Sequence, residues 1–348
     1  MKRLLTLLGV LVVAHVALLF VRPRGASSAP TRDAIDVGIV FDVGGRGDKS
    51  FNDGAFLGAE RAERQLGARV RFIEPGEGSD REAGLRLLAA EGMDIVIGVG
   101  FIFTDDLTQL AEEYPKMKFA GVDYAIHTDA RGNPIPPPPN LAALKFREEQ
   151  GSFLVGALAA LVGGSKRVGF IGGMDIPLIH KFEAGYRAGA KYVCPSCRVL
   201  VGYAGVTGDA FKNPAKGKEL ALAQYDAGAD IVFHAAGTTG LGVFEAARER
   251  GRYAIGVDAD QWSEAPGRVL TSMTKVVDTA VFETVRRVRD GKWQGGLLQL
   301  GLKEGGVDYV FDEHNFALIG DKVHARVEEL RQLIIAGKIH VPDGTEGR

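Results

Sequence analysis

Cysteine is nearly absent from this 348-residue chain. Cys194 and Cys197 are the only two, so neither a disulfide-dense framework nor a zinc site built on two cysteine pairs is available. Net basic charge is absent as well. Lys and Arg total 42 against 44 Asp and Glu, a formal net charge of −2, and no Lys/Arg stripe is concentrated anywhere, which removes the electrostatic footprint of a nucleic-acid binder. The 7 histidines are scattered, and no Ser-His-Asp or metal-ligand spacing compels catalysis. No helix-turn-helix precedes the first strand, which argues against a DNA-binding repressor.

What is present is an ordinary globular composition, 46% hydrophobic and 25% charged, with enough chain for two domains. Residues 1–21 set Lys2 and Arg3 ahead of an apolar run that reads as an export signal. That run is also close to the length of a spanning helix, so cleavage after a small residue such as Ala29 competes with retention as an anchor over about 1–33. The most informative stretch is 37–53, VGIVFDVGGRGDKSFND, in which an apolar strand enters a glycine-rich turn carrying Asp42 and then a helix start. Ser50 is placed to cap the helix that Phe51 begins. Segment 44–50, GGRGDKS, is not a phosphate loop, because Asp48 stands where the last glycine belongs and its carboxylate repels phosphate.

Strands and amphipathic helices alternate beyond this turn, which predicts parallel sheets wound with crossover helices. Strands are expected over 36–41, 70–73, 95–99 and 118–122, with helices over 51–66, 81–91 and 104–113. A second set has strands over 141–146, 167–171, 199–203, 230–234 and 253–257, with helices over 149–162, 181–193, 215–227 and 241–250. Loop 127–140 contains four consecutive prolines and is read as a surface insertion near a hinge. Past Val269 come a strand, a helix over 279–289, short strands over 297–302 and 307–311, and a last helix over 322–336. The CPSC turn at Cys194 and Cys197 fits a local disulfide in an oxidising compartment better than a redox centre, which would open a helix after a strand.

The opening motif, Asp42 through Asn52, resembles the signature of the BMP (basic membrane protein) family of solute-binding lipoproteins of ABC transporters, in its PnrA-like purine-nucleoside-binding branch. The resemblance continues through GVDY at Asp123, residues 169–190, 202–221, GVDADQ at 256–261 and TSMTKVVD at 271–278. It implies an α/β type I periplasmic-binding-protein fold, two similar doubly wound lobes around a ligand cleft, with the chain passing between them several times. On that basis one lobe takes about 34–126 with 274–296, and the other about 127–273 with 297–340. The family's lipid-modified cysteine has no counterpart over 22–36.

The resemblance further implies a purine nucleoside held by Asp42, Phe51, Asn52, Asp123, Phe182, Gly237, Asp258 and Lys275. Phe51 and Phe182 would clamp a flat base. Asp258 would accept from a ribose diol, with Lys275 donating to the same sugar. Asp123 would accept a purine N–H, and Asn52 would both donate and accept at a base edge. Gly237 would let backbone approach the ligand. Asp42 serves equally as a ligand group or as a turn hydrogen bond. Three carboxylates against one lysine favour nucleosides over nucleotides. The implied protein is a monomer of the periplasm or another extracytoplasmic space, needs no cofactor or metal, performs no chemistry and presents its ligand to an ABC-type permease. A membrane-tethered sensor is the alternative. A nucleoside-processing enzyme is further off, because Asp42, Asp48 and Asp53 are separated by a glycine turn and Lys49.

Overall fold

Continuous apolar runs decide the architecture. The computed structural model describes residues 34–42, 44–75 and 81–344. Its strands are β1 (Asp36–Val40), β2 (Arg69–Ile73), β3 (Ile95–Val99), β4 (Phe119–Val122), β5 (Leu141–Phe146), β6 (Arg167–Met174), β7 (Arg198–Gly205), β8 (Ile231–Ala235), β9 (Tyr253–Asp258), β10 (Val269–Lys275), β11 (Gly296–Leu300) and β12 (Val307–Tyr309). Every residue of β3, β4 and β8 is buried, as expected of parallel strands covered by helices on both faces. They form two six-stranded sheets, ordered β2-β1-β3-β4-β5-β11 and β7-β6-β8-β9-β10-β12. All pairings are parallel except β10 with β12. The two sheets therefore repeat one strand order, which is the type I architecture.

The chain crosses between the lobes three times. After β5 the helix Glu148–Val162 packs on β10 and β12, and after β10 the helix Val277–Arg289 packs on the helix Phe51–Leu66. The third passage runs from β11 to β12. Glu148–Val162 meets the helix Pro177–Val193 very closely, because side chains are missing at the contact. A Cβ on Gly185 would lie 2.1 Å from the Glu149 carbonyl oxygen, and one on Gly189 would lie 1.9 Å from that of Phe153.

Three expectations are corrected here. Segment 141–146, expected in the second lobe, forms β5, which pairs with β4 from Phe119↔Leu141 onward and lies in the first sheet. Residues 297–300, also expected in the second lobe, form most of β11, which pairs with β5 in the first sheet. Loop 127–140 consequently joins two neighbouring strands of one sheet rather than the two lobes, and Asn140 Nδ2 ties its end to the carbonyls of Ala111, Tyr114 and Met117. Cys194 and Cys197 are joined in a disulfide, with Cα atoms 5.3 Å apart. The expected leader over 1–33 lies outside the described residues. Among the described residues no helix is long and apolar enough to cross a membrane.

Candidate functional site

Both sheets aim their carboxyl strand ends at a common cleft, the usual place for ligands in open α/β sheets. Asp42 follows β1, Gly100 follows β3, Asp123 follows β4, Gly237 lies just past β8, and Asp258 and Lys275 end β9 and β10. Phe51 and Asn52 open the helix Phe51–Leu66, and Phe182 stands in the second turn of Pro177–Val193. These strand ends and helix turns, from both lobes, surround one cavity of about 590 Å³, part of it open to solvent. All eight residues singled out from the sequence line it, joined by Gly44, Asp48, Phe101, Leu178, Ile179 and Phe211.

The two lobes contribute matching devices. Asp123 ends the run Gly121-Val122-Asp123 and Asp258 ends Gly256-Val257-Asp258, each at the carboxyl end of the fourth strand of its sheet. Both aspartates are left-handed, with φ of 60° and 65°. A non-glycine residue held there by its surroundings is characteristic of a site in which the side chain must be aimed.

Lys275 and Asp123 are joined across the cleft. Lys275 Nζ donates to Asp123 Oδ2 at 2.6 Å and lies 3.3 Å from Glu148 Oε1, with the lysine 3% and Glu148 0% exposed. Lys181 donates to Glu148 Oε2 and to the Phe146 carbonyl, so the buried charges continue into the first interlobe passage. Burial opposes the Lys275 ammonium, but Asp123, Glu148 and Asp258 outweigh it and hold the group above the ordinary lysine range. Burial likewise opposes the Glu148 carboxylate, yet Lys181 and Lys275 keep it below its usual range. Lys275, expected to donate to a sugar and to balance nearby negative charge, is paired with Asp123 and Glu148. Asp123 Oδ1 is buried and has no hydrogen-bond partner among the described residues. Asp123 is one of the residues that line the cavity.

Asp258 behaves differently. Burial pushes its carboxyl up to about 6, against the pull of Lys275 and of the Ser50 hydroxyl. Ser50 Oγ donates to Asp258 Oδ2 at 2.5 Å, from one lobe to the other. This corrects the role expected of Ser50, whose side chain makes no capping bond. Asp48 does that work. Its carboxylate accepts from the backbone N–H of Ser50, Asn52 and Asp53 at 2.9, 2.9 and 3.2 Å, which satisfies the orphan donors of the helix start. Burial nevertheless raises the Asp48 carboxyl above its usual range.

Asn52 is drawn into the same turn. Its Oδ1 accepts from Asp42 N at 3.1 Å and its Nδ2 donates to Asp48 Oδ2 at 3.0 Å, leaving one amide hydrogen and one Oδ1 lone pair for a base edge. Phe51 and Phe182 converge on one point, since Lys275 Nζ lies 4.9 Å from the first ring centroid and 5.7 Å from the second. Gly237 has φ 52°, a conformation that glycine adopts without cost. Among the described residues no group of three or more His, Cys, Asp or Glu is arranged to hold a metal ion.

Glu148, Asp48, Ser50 and Lys181 were not identified as site residues from the sequence. Glu148 and Glu149 open a helix, where acidic residues complement the dipole, so nothing local marks one of them as fully buried. The repeated GVD was the available signal for the paired aspartates.

Residues 35–345 match the family model described as ABC transporter substrate-binding protein PnrA-like. An uncharacterized lipoprotein of Pyrococcus abyssi is 36% identical over 88% of this chain and 76% of its own. A protein of Lactococcus lactis named ABC transporter nucleoside-binding protein BmpA is 31% identical over 98% of this chain and 99% of its own. Among solved structures, an ABC transporter solute-binding protein of Aeropyrum pernix K1 superposes with a TM-score of 0.80 at 32% identity, covering 88% of this chain and 94% of that one.

Proposed function

The chain belongs to the PnrA-like family of ABC transporter substrate-binding proteins, and from that premise we propose that it captures a purine nucleoside between its lobes and delivers it to an ABC permease. The observation that carries the reading is a cavity lined by Asp123, whose buried Oδ1 has no hydrogen-bond partner among the described residues, by Asp258 and by two phenylalanines from opposite lobes. A buried acceptor without a partner is costly, so this wall is built for a ligand N–H. Asp258 supplies acceptor lone pairs for a vicinal diol, and the Phe51 and Phe182 rings supply faces for a flat base.

Charge sets the substrate class. Asp42, Asp48, Asp123 and Asp258 line the cavity, where Lys275 is the single lysine among the described residues and is already engaged by Asp123 and Glu148. A phosphate would find no free cation, so nucleosides are accepted and nucleotides refused. The binding needs no cofactor, and the protein works as a monomer, releasing its ligand chemically unchanged outside the cytoplasm. The name of the Lactococcus lactis relative, a nucleoside-binding protein, supports this assignment.

Calorimetric titration with guanosine, inosine and adenosine, their 5′-monophosphates and ribose tests it. At least one nucleoside should bind, with its monophosphate weaker by a hundredfold or more. Absence of nucleoside binding, or a tighter monophosphate, overturns the reading. Free base and ribose appearing after incubation would show an enzyme instead.

A further inference from the structure

We propose that Gln261, which does not line the cavity, is a positioning residue that latches the two lobes in their closed arrangement. Its side chain is buried, at 1% exposure, and both ends of its amide are committed. Oε1 accepts from Val257 N at 2.8 Å, which fixes the end of β9 just before Asp258. Nε2 donates to the Lys49 carbonyl oxygen at 3.0 Å, in the glycine-rich turn of the other lobe. The Gln261 backbone N–H donates to Ser272 Oγ at 3.0 Å, so the residue is anchored to β10 as well.

The receiving side is equally fixed. Lys49 is left-handed, with φ 56°, and its backbone N–H donates to Asp53 Oδ2 at 3.0 Å. Its carbonyl is therefore held toward Gln261 on a rigid turn whose next residue, Ser50, also reaches across to Asp258. One amide thus aligns the Asp258 strand end and grips the opposite lobe. When the lobes part, the Gln261 Nε2 and the Lys49 carbonyl return to water, and the closed state loses a bond that no ligand atom replaces. Such a bond biases closure without contributing to ligand discrimination.

The inference rests on the proposed capture by lobe closure, and the test separates the two. Gln261→Glu keeps an acceptor for Val257 N–H and removes the donor to Lys49. Stopped-flow binding of guanosine should show dissociation about five- to tenfold faster, an association rate within about twofold of the parent, and an unchanged order of preference among nucleosides. Small-angle X-ray scattering of the ligand-free variant should give a larger radius of gyration. A merely structural role would lower the active fraction without changing the dissociation rate of the folded fraction. Should Gln261→Glu not fold, Gln261→Met, which keeps the volume and loses the amide, carries the same measurements. Parental dissociation together with parental scattering, or an altered nucleoside preference, overturns the latch. If the parent protein binds no nucleoside, the functional reading fails, and scattering alone decides the latch.

Discussion

Lys275 Nζ and Asp123 Oδ2 stand 2.6 Å apart, on different lobes and both buried, so one ion pair ties the two halves of the cleft together. Glu148 shares the lysine and is also held by Lys181, so Asp123 is the carboxylate that depends most directly on Lys275. Removing one partner of a buried pair costs about 3–5 kcal/mol, because the other charge stays buried. Lys275→Met should lower unfolding stability by about that amount in urea titrations, and Lys275→Met with Asp123→Asn should recover part of it. No loss in the single variant would mean that the carboxylates are solvated or protonated.

Asp258 makes ligand affinity depend on pH. Its carboxyl, raised from 3.8 to about 6 chiefly by burial, binds a proton more readily folded than unfolded. In the free protein its stabilising contribution is therefore complete below about pH 4 and is lost as pH rises through about 6. Affinity runs the other way, because a protonated carboxyl accepts fewer hydroxyl hydrogens. Nucleoside affinity should be level above about pH 7 and fall by up to about tenfold per unit well below pH 6. Asp258→Asn should flatten the profile, and a level parental curve down to about pH 5 would remove Asp258 from sugar binding.

The two polar residues at the helix start should separate by function. Asp48→Ala frees three backbone donors at 2.9, 2.9 and 3.2 Å, so thermal unfolding should show a loss of about 1–3 kcal/mol. Ser50→Ala leaves those donors satisfied. It should cost less than about 1 kcal/mol in stability while moving the pH midpoint of binding upward, since the hydroxyl that favours the Asp258 carboxylate is gone.

Gly100 permits Asp42 to stand where it does. A Cβ on it would lie 2.2 Å from Asp42 Oδ2, and its φ of 117° is closed to alanine without strain. Gly100→Ala should destabilise by about 1–3 kcal/mol from overpacking, with strain added, and should displace Asp42 from the cavity wall. Unchanged nucleoside affinity in that variant would show that Asp42 serves the turn and not the ligand.

The order of strands and helices was legible where side chains report their own surroundings. IVIGV in β3 and FAGV in β4 are apolar throughout because both faces are covered. Sheet membership was not legible for LAALKF in β5, since its composition suits the middle of either sheet and its partner is decided by a long-range register. The cavity wall was readable through the motifs around Asp42, Asp123 and Asp258. Its support was not: Glu148 carries the ordinary sequence of a helix start, and the choice between Asp48 and Ser50 as cap depends on whether a carboxylate from the other lobe is present to engage the hydroxyl.

The sixth strand of each sheet comes from a single short stretch, β11 and β12, that visits one half and then the other. Neither half can therefore be excised by one cut: severing the chain ahead of β11 strips both sheets of an edge, and severing it between the two strands leaves one half trailing a piece of the other. The halves are interlaced in sequence, which ties their folding to the integrity of the whole polypeptide.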